Sequence, residues 1–156
     1  MAVKAIPDGQ HSITAYLALD GAAKAIAFYQ KAFGATEVFR LEAPGGRVGH
    51  AELRIGDCAL MLADTCDQGP LGPIAGEHKA PVGLHLYVED ADAVFAQALA
   101  AGATQVYEVK DQFYGDRSGT LRDPFGNVWF VATHKEDLTP EQIHQRAAAM
   151  FGQGPA

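Results

Sequence analysis

Three polar side chains have the types and the spacing of a metal or acid–base site. His50 and Glu52 lie two residues apart in "HAELRI", and His85 lies in "VGLHLYV". Because successive side chains of a strand point to opposite faces, His50 and Glu52 should share one face, with Ala51 and Leu53 on the other. Two imidazoles and one carboxylate are a known ligand set for divalent metals. Without a metal, either histidine could transfer protons near neutral pH, and a third interpretation is a hydrogen-bonded polar lining.

The candidate ligand-binding residues extend beyond this trio. The segment "DQFYGDRSGT" (111–120) crowds polar groups around Gly115. One interpretation is a flap that closes on a ligand, with Arg117 binding a carboxylate or phosphate of that ligand. The other is a structural role, in which Arg117 stabilises a hairpin or a dimer contact. Trp129 is interpreted as a core residue or as a stacking platform. The predicted ligand-binding residues are Tyr16, His50, His85, Tyr87, Tyr114, Arg117 and Trp129.

A near repeat predicts the elements that carry these residues. The phrase "GATEVF" (34–39) returns as "GATQVY" (102–107). Each copy follows a segment with apolar residues at helical spacing, so each Gly-Ala-Thr is interpreted as the end of a helix and the start of a strand. Asp20 and Asp90 are predicted to cap the N-termini of the two helices.

Strand patterns around each helix complete two βαβββ modules, one over 11–63 and one over 82–134. Glycines and prolines predict a linker over 64–81, and a capping-box pattern begins a C-terminal helix over 139–150. The sequence therefore predicts one domain (1–156) of the α+β class. Its two paired βαβββ modules should form a cup-shaped mixed sheet, with a pocket on the concave face.

Composition excludes several functional classes. The 156 residues carry a formal net charge of −7, which argues against a nucleic-acid partner. No apolar run approaches the roughly 18 residues of a membrane helix, and the opening "MAVKAIPDGQ" is too polar for a signal peptide. Cys58 and Cys66 do not form a CxxC pair. We expect two reduced thiols in a cytoplasmic protein.

The repeated modules and three phrases give the chain a family resemblance. It resembles the vicinal oxygen chelate superfamily, also called the glyoxalase/bleomycin-resistance/dioxygenase superfamily, over about residues 11–150, and within it the PhnB-like branch. The phrases are "DGAAKAIAFYQKAFGA" (20–35), "HAELRIGDCALMLAD" (50–64) and "DQFYGDRSGTLRDPFGNVWFVATHKED" (111–137).

The resemblance implies a homodimer, and in metal-dependent members it implies a divalent ion held by His, Glu or Gln from the first and last strands of each module. Carried over to this chain, those positions are about Thr14, Met61, Gly83 and Phe130. Methionine, glycine and phenylalanine supply no oxygen or imidazole ligand for such an ion. A shift of two residues would bring His85 into the third position.

These observations predict a dimeric small-molecule-binding protein without the usual metal site and without a cofactor, whose ligand is mostly apolar and partly aromatic. Bleomycin-resistance-like members of the superfamily sequester ligands in this way. The alternative is a divalent-metal-dependent lyase, isomerase or dioxygenase that uses His50, Glu52 and His85. A third hypothesis is a structural or regulatory dimer whose cavity is filled by Tyr16, Met61 and Phe130. Whether the protein is an enzyme stays open at this point.

Overall fold

The computed structural model describes residues 3–72 and 82–150. Its elements follow the two predicted modules, and a third helix comes after them. The first module contains β1 (Ala15–Leu19), α1 (Ala22–Phe33), β2 (Thr36–Ala43), β3 (Arg47–Ile55) and β4 (Cys58–Asp64). The second contains β5 (Gly83–Tyr87), α2 (Ala91–Ala101), β6 (Thr104–Asp111), β7 (Asp116–Arg122) and β8 (Val128–His134), followed by α3 (Pro140–Met150).

Both modules have the same sheet topology. The strand orders are β1-β4-β3-β2 and β5-β8-β7-β6. In each sheet the first and last strands of the module pair in parallel, and the other pairs are antiparallel. The α+β class and the two βαβββ modules are therefore confirmed. The predicted linker is only partly described, because residues 73–81 lie outside the described residues and Asp64 still belongs to β4.

The chain divides into two compact units, residues 1–79 with 124–126, and residues 80–123 with 127–156. The cup formed by both sheets stays a prediction. In the first unit, α1 packs on one face of its sheet and buries Ile26 and Tyr29. Phe125, in the short 124–126 segment, contacts Phe28 and Tyr29 of this helix with ring centroids 6.1 and 6.3 Å apart.

Burial in β3 follows the predicted alternation. Ala51 and Leu53 are fully buried on the helix side of the sheet, whereas His50 and Glu52 are half-buried on the opposite side. We call the side without the helix the open face of each sheet. In the second unit, Leu121 and Val131 are fully buried in the core.

The glycines of the repeated phrase end both helices. Gly34 has a left-handed φ of 67°, and its amide donates to the carbonyls of the last helical turn. Gly102 has a φ of 121° and makes equivalent contacts. Since only glycine adopts these angles without strain, both predicted helix ends are confirmed. The cap at Asp90 is also confirmed, because its carboxylate accepts from the Ala93 amide at 3.0 Å.

The predicted cap at Asp20 is wrong. The N-cap of α1 is Gly21, in a left-handed conformation with φ 86°. The first amides of α1 instead donate to Asp64 Oδ1, from Gly21 N and Ala22 N at 3.0 Å each. Asp64 is the last residue of β4 and lies opposite Leu19 in the parallel pair, which places its carboxylate at the start of the helix. Asp20 accepts from the Thr65 hydroxyl instead.

Helix α3 begins as the sequence predicts. The Thr139 hydroxyl accepts from the Gln142 amide at 3.2 Å, and the Gln142 side chain accepts from the Thr139 amide at 2.9 Å. No residue of this helix is buried in the described part of the chain. None of the helices in that part is both long and apolar enough to cross a membrane.

Candidate functional site

The open face of the first sheet carries a row of polar and apolar side chains in register. Tyr16 pairs with Met61, Met61 with Glu52, and Glu52 with Phe39. Tyr16 and Phe39 are among the exposed large hydrophobic residues. The row therefore presents aromatic groups at both edges and a thioether and a carboxylate between them.

His50 and Glu52 already have protein partners on this face. The Tyr16 hydroxyl lies 3.0 Å from His50 Nδ1. Gln10 Nε2 donates to Glu52 Oε1 at 2.6 Å, and Arg54 Nη2 lies 3.7 Å from the same oxygen. Glu52 thus has one hydrogen-bond donor and one nearby guanidinium, which favours the polar-lining interpretation of this residue.

The open face of the second sheet is more aromatic. His85 pairs with Phe130, Phe130 with Thr120, and Thr120 with Tyr107. The His85 and Phe130 rings stack with centroids 6.0 Å apart, and the His85 and Tyr87 centroids are 4.7 Å apart. A continuous aromatic surface of this kind binds planar apolar groups through stacking and burial of area.

Gly83 shows how firmly Phe130 occupies this face. A Cβ atom added at Gly83 would lie 2.6 Å from Phe130 Cε2, far inside van der Waals contact. The phenyl ring therefore fills the space that any side chain at residue 83 would need. Gly83 and Phe130 therefore supply no metal ligand on this face.

A hydrogen-bonded chain continues from Tyr87 along the same sheet. The Tyr87 hydroxyl donates to Asp116 Oδ2 at 2.7 Å, and Asp116 Oδ1 lies 2.8 Å from His134 Nδ1. His134 Nε2 lies 2.9 Å from Asp137 Oδ1. Asp116 is only 4% exposed, and its two oxygens face one donor each. The hydrogen bond to Asp116 raises the pKa of Tyr87, and the bonds to Asp116 and Asp137 raise the pKa of His134.

The hydrogen-bonded series from Tyr87 through Asp116 and His134 to Asp137 predicts a pH dependence of stability. Because the folded state binds the His134 proton more tightly than the unfolded state, the stabilisation is complete below the usual pKa of 6.5. It is lost as the pH rises through the raised pKa of His134. We expect the midpoint of thermal unfolding to fall as the pH rises from 6.5 through the raised pKa of His134. The fall should be smaller in the Asp116→Asn and His134→Gln variants.

The control for this experiment is His144→Gln, which removes one histidine from the exposed helix α3. Its midpoint should follow the wild-type pH profile. If the midpoint of thermal unfolding fell equally steeply with pH in the wild-type, Asp116→Asn and His134→Gln proteins, that result would contradict the assignment of the effect to the Asp116–His134 hydrogen bond.

The other three predicted site residues have different surroundings. Arg117 forms a bidentate ion pair with Asp92 of α2, at 2.6 and 2.9 Å, and contacts Asp111 at 3.2 Å. These partners, Asp92 first, raise the pKa of Arg117 further above its usual range. The Tyr114 hydroxyl lies 3.4 Å from Ser118 Oγ. These contacts favour the hairpin interpretation of the segment over the ligand flap.

Trp129 lies in the core of the second unit. It is 3% exposed, and its indole Nε1 donates to Asp123 Oδ2 at 2.9 Å. Asp123 also accepts from the Asn127 amide at 2.9 Å. The "DPFGN" phrase thus forms a turn around the buried Asp123 carboxylate, and this placement favours a structural role for Trp129.

Described residues of the first unit line two open cavities, and none of the predicted site residues is among them. Their volumes are about 470 and 540 Å³. Segment 65–67 borders both, and Arg47 and Asp64 line the larger one. Tyr16 and His50 lie on the open face of the first sheet, and His85 and Tyr87 lie on the open face of the second.

The family of the chain follows from its likeness to known proteins. The model of the Glyoxalase/Bleomycin resistance protein/Dioxygenase superfamily matches residues 10–131. The chain belongs to this superfamily. An uncharacterized protein of Mycobacterium bovis is 40% identical over 146 residues, which cover 92% of this chain and 94% of that protein.

Solved structures of similar proteins agree with the superfamily fold. TioX from a Micromonospora species is 27% identical with a TM-score of 0.65, covering 80% of this chain and 98% of TioX. A PhnB protein from Bacillus cereus is 23% identical with a TM-score of 0.59, covering 79% of this chain and 99% of that one. The second likeness shows the fold alone.

The donor chemistry of this superfamily member does not fit the metal site of its metal-dependent relatives. In the two parallel pairs that join the first and last strands of each module, Tyr16 faces Met61 and His85 faces Phe130. One phenol and one imidazole are the polar groups of these four positions, and Gly83 is covered by the Phe130 ring. Of the four positions that the resemblance carries over, Met61, Gly83 and Phe130 offer no oxygen or imidazole ligand for a divalent ion. The alternative trio stays a prediction, with His50 and Glu52 in the first unit and His85 in the second.

Some structural features of the site region were missed by sequence reasoning. His134 was not among the predicted site residues, yet both of its ring nitrogens face carboxylates. Strand alternation in "DRSGT" could have indicated the role of Asp116, because it puts Asp116 on the same face as Ser118 and Thr120. The partnership with Tyr87 depends on β5, which the local pattern does not include.

Proposed function

We propose that this superfamily member binds a planar, mostly apolar and partly aromatic small molecule, without a metal ion at the superfamily's usual ligand positions. The observation that carries the proposal is the stacked His85–Phe130 pair, whose phenyl ring covers Gly83. The resemblance places ligands of metal-dependent members at about Gly83 and Phe130. This chain has an exposed aromatic surface there instead.

The polar groups around the aromatic surface define the rest of the ligand. The His85 imidazole lies between the Phe130 and Tyr87 rings, and the Tyr87 hydroxyl, which donates to Asp116, can still accept a hydrogen bond. Such groups orient a ligand by hydrogen bonds, and the stacked rings supply most of the contact area. The ligand class is therefore a planar aromatic ring system that bears hydroxyl, carbonyl or amine groups.

Binding by a homodimer of the PhnB-like branch is part of the same proposal. Two surfaces support a dimer. Strand β2 exposes Val38, Phe39 and Leu41 by about half each, and α3 has no buried residue in the described part of the chain. The fold likeness to the Bacillus cereus PhnB protein is compatible with the branch.

The test is a titration of chelator-treated protein with the aromatic dye 1-anilinonaphthalene-8-sulfonate, followed by displacement with a panel of planar aromatic compounds. We expect binding to persist after chelation. His85→Ala and Phe130→Ala should each weaken it about 2- to 12-fold, because an aromatic stacking partner contributes about 0.5–1.5 kcal/mol.

The matched control is Ile6→Ala, which removes an exposed apolar side chain that lies on neither sheet. Its affinity should equal that of the wild-type protein. Binding that disappears with the chelator, or that is unchanged in both the His85→Ala and Phe130→Ala variants, would contradict the proposal.

A further inference from the structure

A second group of chemically capable side chains lies away from the open faces, at the turn between β3 and β4. His11, Asp57 and Cys58 each offer one ligand atom, and the three atoms lie within 4.8 Å of one another. All three residues are exposed. Among the described residues, no other group of three such side chains meets this distance.

The hairpin holds two of the three residues in fixed positions. Gly56 turns the chain with a left-handed φ of 58°, and Ile55 pairs with Cys58 across the turn. The Cys58 thiol faces the Asp57 carboxylate, with Sγ and Oδ1 3.5 Å apart. The sulfur and the oxygen therefore point into the same region of the turn.

The N-terminal segment is tied to the same hairpin, which brings the third residue to it. Arg54 Nη1 donates to the Gly9 carbonyl at 2.5 Å, and Gln10 Nε2 donates to Glu52 at 2.6 Å. His11 Nε2 lies 3.4 Å from the Asp57 carbonyl oxygen. Two successive residues before His11 are thus anchored on β3, so the imidazole lies at the turn because of specific contacts.

We propose that His11, Asp57 and Cys58 bind one divalent transition-metal ion of the zinc class. A thiolate, an imidazole and a carboxylate form a donor set for Zn²⁺ and its analogue Co²⁺, whereas Mg²⁺ and Ca²⁺ prefer oxygen ligands alone. A tetrahedral ion places its ligand atoms about 3.3–3.8 Å apart. The ligand atoms lie within 4.8 Å of one another, so rotations of the exposed side chains need to shorten these distances by only about 1 Å.

Binding at this site forms a metal–sulfur bond and releases the thiol proton to the solvent. Three protein ligands leave the fourth coordination position to water. The ion would fasten the N-terminal segment to the β3–β4 hairpin. This site shares no ligand with the aromatic surface of the proposed function, so either proposal can fail without the other.

The experiment is a titration of the reduced, metal-free protein with Co²⁺, followed by absorption spectroscopy. We expect a sulfur-to-cobalt charge-transfer band that saturates at one ion per chain and is bleached by Zn²⁺. Cys58→Ser should abolish the band. His11→Ala should weaken cobalt binding, because it removes the imidazole that the N-terminal segment supplies.

Cys66→Ser is the matched control, since Cys66 is the other exposed free cysteine. Its band should be the same as that of the wild-type protein. The proposal is overturned if no charge-transfer band forms, if the band survives in Cys58→Ser, or if Cys66→Ser removes it. A band that His11→Ala leaves unchanged in intensity and affinity also overturns the three-ligand site.

Discussion

Replacing Asp123 by alanine is expected to lower the free energy of unfolding by about 3–5 kcal/mol. The carboxylate is 3% exposed and accepts from Trp129 Nε1 and from the amide and side chain of Asn127. Alanine would leave a buried indole N–H and a turn amide without their acceptor. Such orphaned donors cost far more than the net value of a single hydrogen bond.

The measurement is urea unfolding followed by the fluorescence of Trp129, the single tryptophan of the chain. Asp123→Asn keeps one acceptor oxygen and should be destabilised by clearly less than Asp123→Ala. The same loss in both variants would show that the acceptor geometry is not what stabilises the turn. A loss below about 1 kcal/mol in Asp123→Ala would contradict the structural role that we assign to "DPFGN".

Replacing Asp64 by alanine is the second large effect, with an expected loss of about 2–4 kcal/mol. Asp64 Oδ1 accepts from two amides at the start of α1, and Oδ2 accepts from the Val48 amide at 2.7 Å. The substitution would remove a helix cap and a link between β3 and β4 together. Amide hydrogen exchange at Ala22 and Val48 should accelerate, and urea unfolding should report the loss of stability.

Asp20→Ala is the control, because sequence reasoning gave Asp20 the capping role. Asp20 accepts from one exposed hydroxyl, so its removal should cost less than about 1 kcal/mol. If Asp20→Ala were as destabilising as Asp64→Ala, the cap assignment would be wrong.

Asp64 also predicts a loss of stability in acid. Partial burial alone would raise its pKa, but the three amide hydrogen bonds outweigh that effect and lower the pKa below its usual value of 3.8. The stabilisation is therefore complete above pH 3.8 and is lost as the pH falls through the lowered pKa. Asp64→Ala should lack this part of the acid transition.

In both units a side chain of the module's last strand accepts a hydrogen bond from the first amide of the helix, but the residue type differs. In the second unit, the Thr133 hydroxyl accepts from the Ala91 amide at 2.8 Å and donates to the Val88 carbonyl at 2.8 Å. Thr133 and Asp64 both lie at the end of the last strand of their module. The repeat therefore preserves a cap supplied by the neighbouring strand, although the side chain differs.

Local patterns were sufficient to predict most of the fold. The alternation in "HAELRI" put His50 and Glu52 on the open face because burial on one side of a strand leaves a period of two in the sequence. Gly34 and Gly102 marked helix ends because the left-handed angle needed there leaves few alternatives to glycine. These features depend on contacts within a few residues.

The features that sequence reasoning missed depend on distant contacts. The cap of α1 comes from Asp64, more than 40 residues along the chain from Ala22. Arg117 pairs with Asp92 of α2, which lies 25 residues earlier in the chain. Both pairings follow from the order of strands in a sheet, and a local motif carries no information on that order. The same limit applies to the Tyr87–Asp116 contact in the candidate site.

The most direct test of the central claim is native mass spectrometry of the chelator-treated protein with a planar aromatic ligand from the displacement panel. The His11→Ala/Cys58→Ser double variant should be used, so that an ion at the β3–β4 turn is not counted. We predict a complex whose mass is that of the protein chains and the organic ligand, with no ion, and the same spectrum shows whether the protein is a dimer. A complex that forms only with one divalent ion per chain, and that loses the ion in a His50→Ala or His85→Ala background, would contradict the account and favour the metal-dependent enzyme.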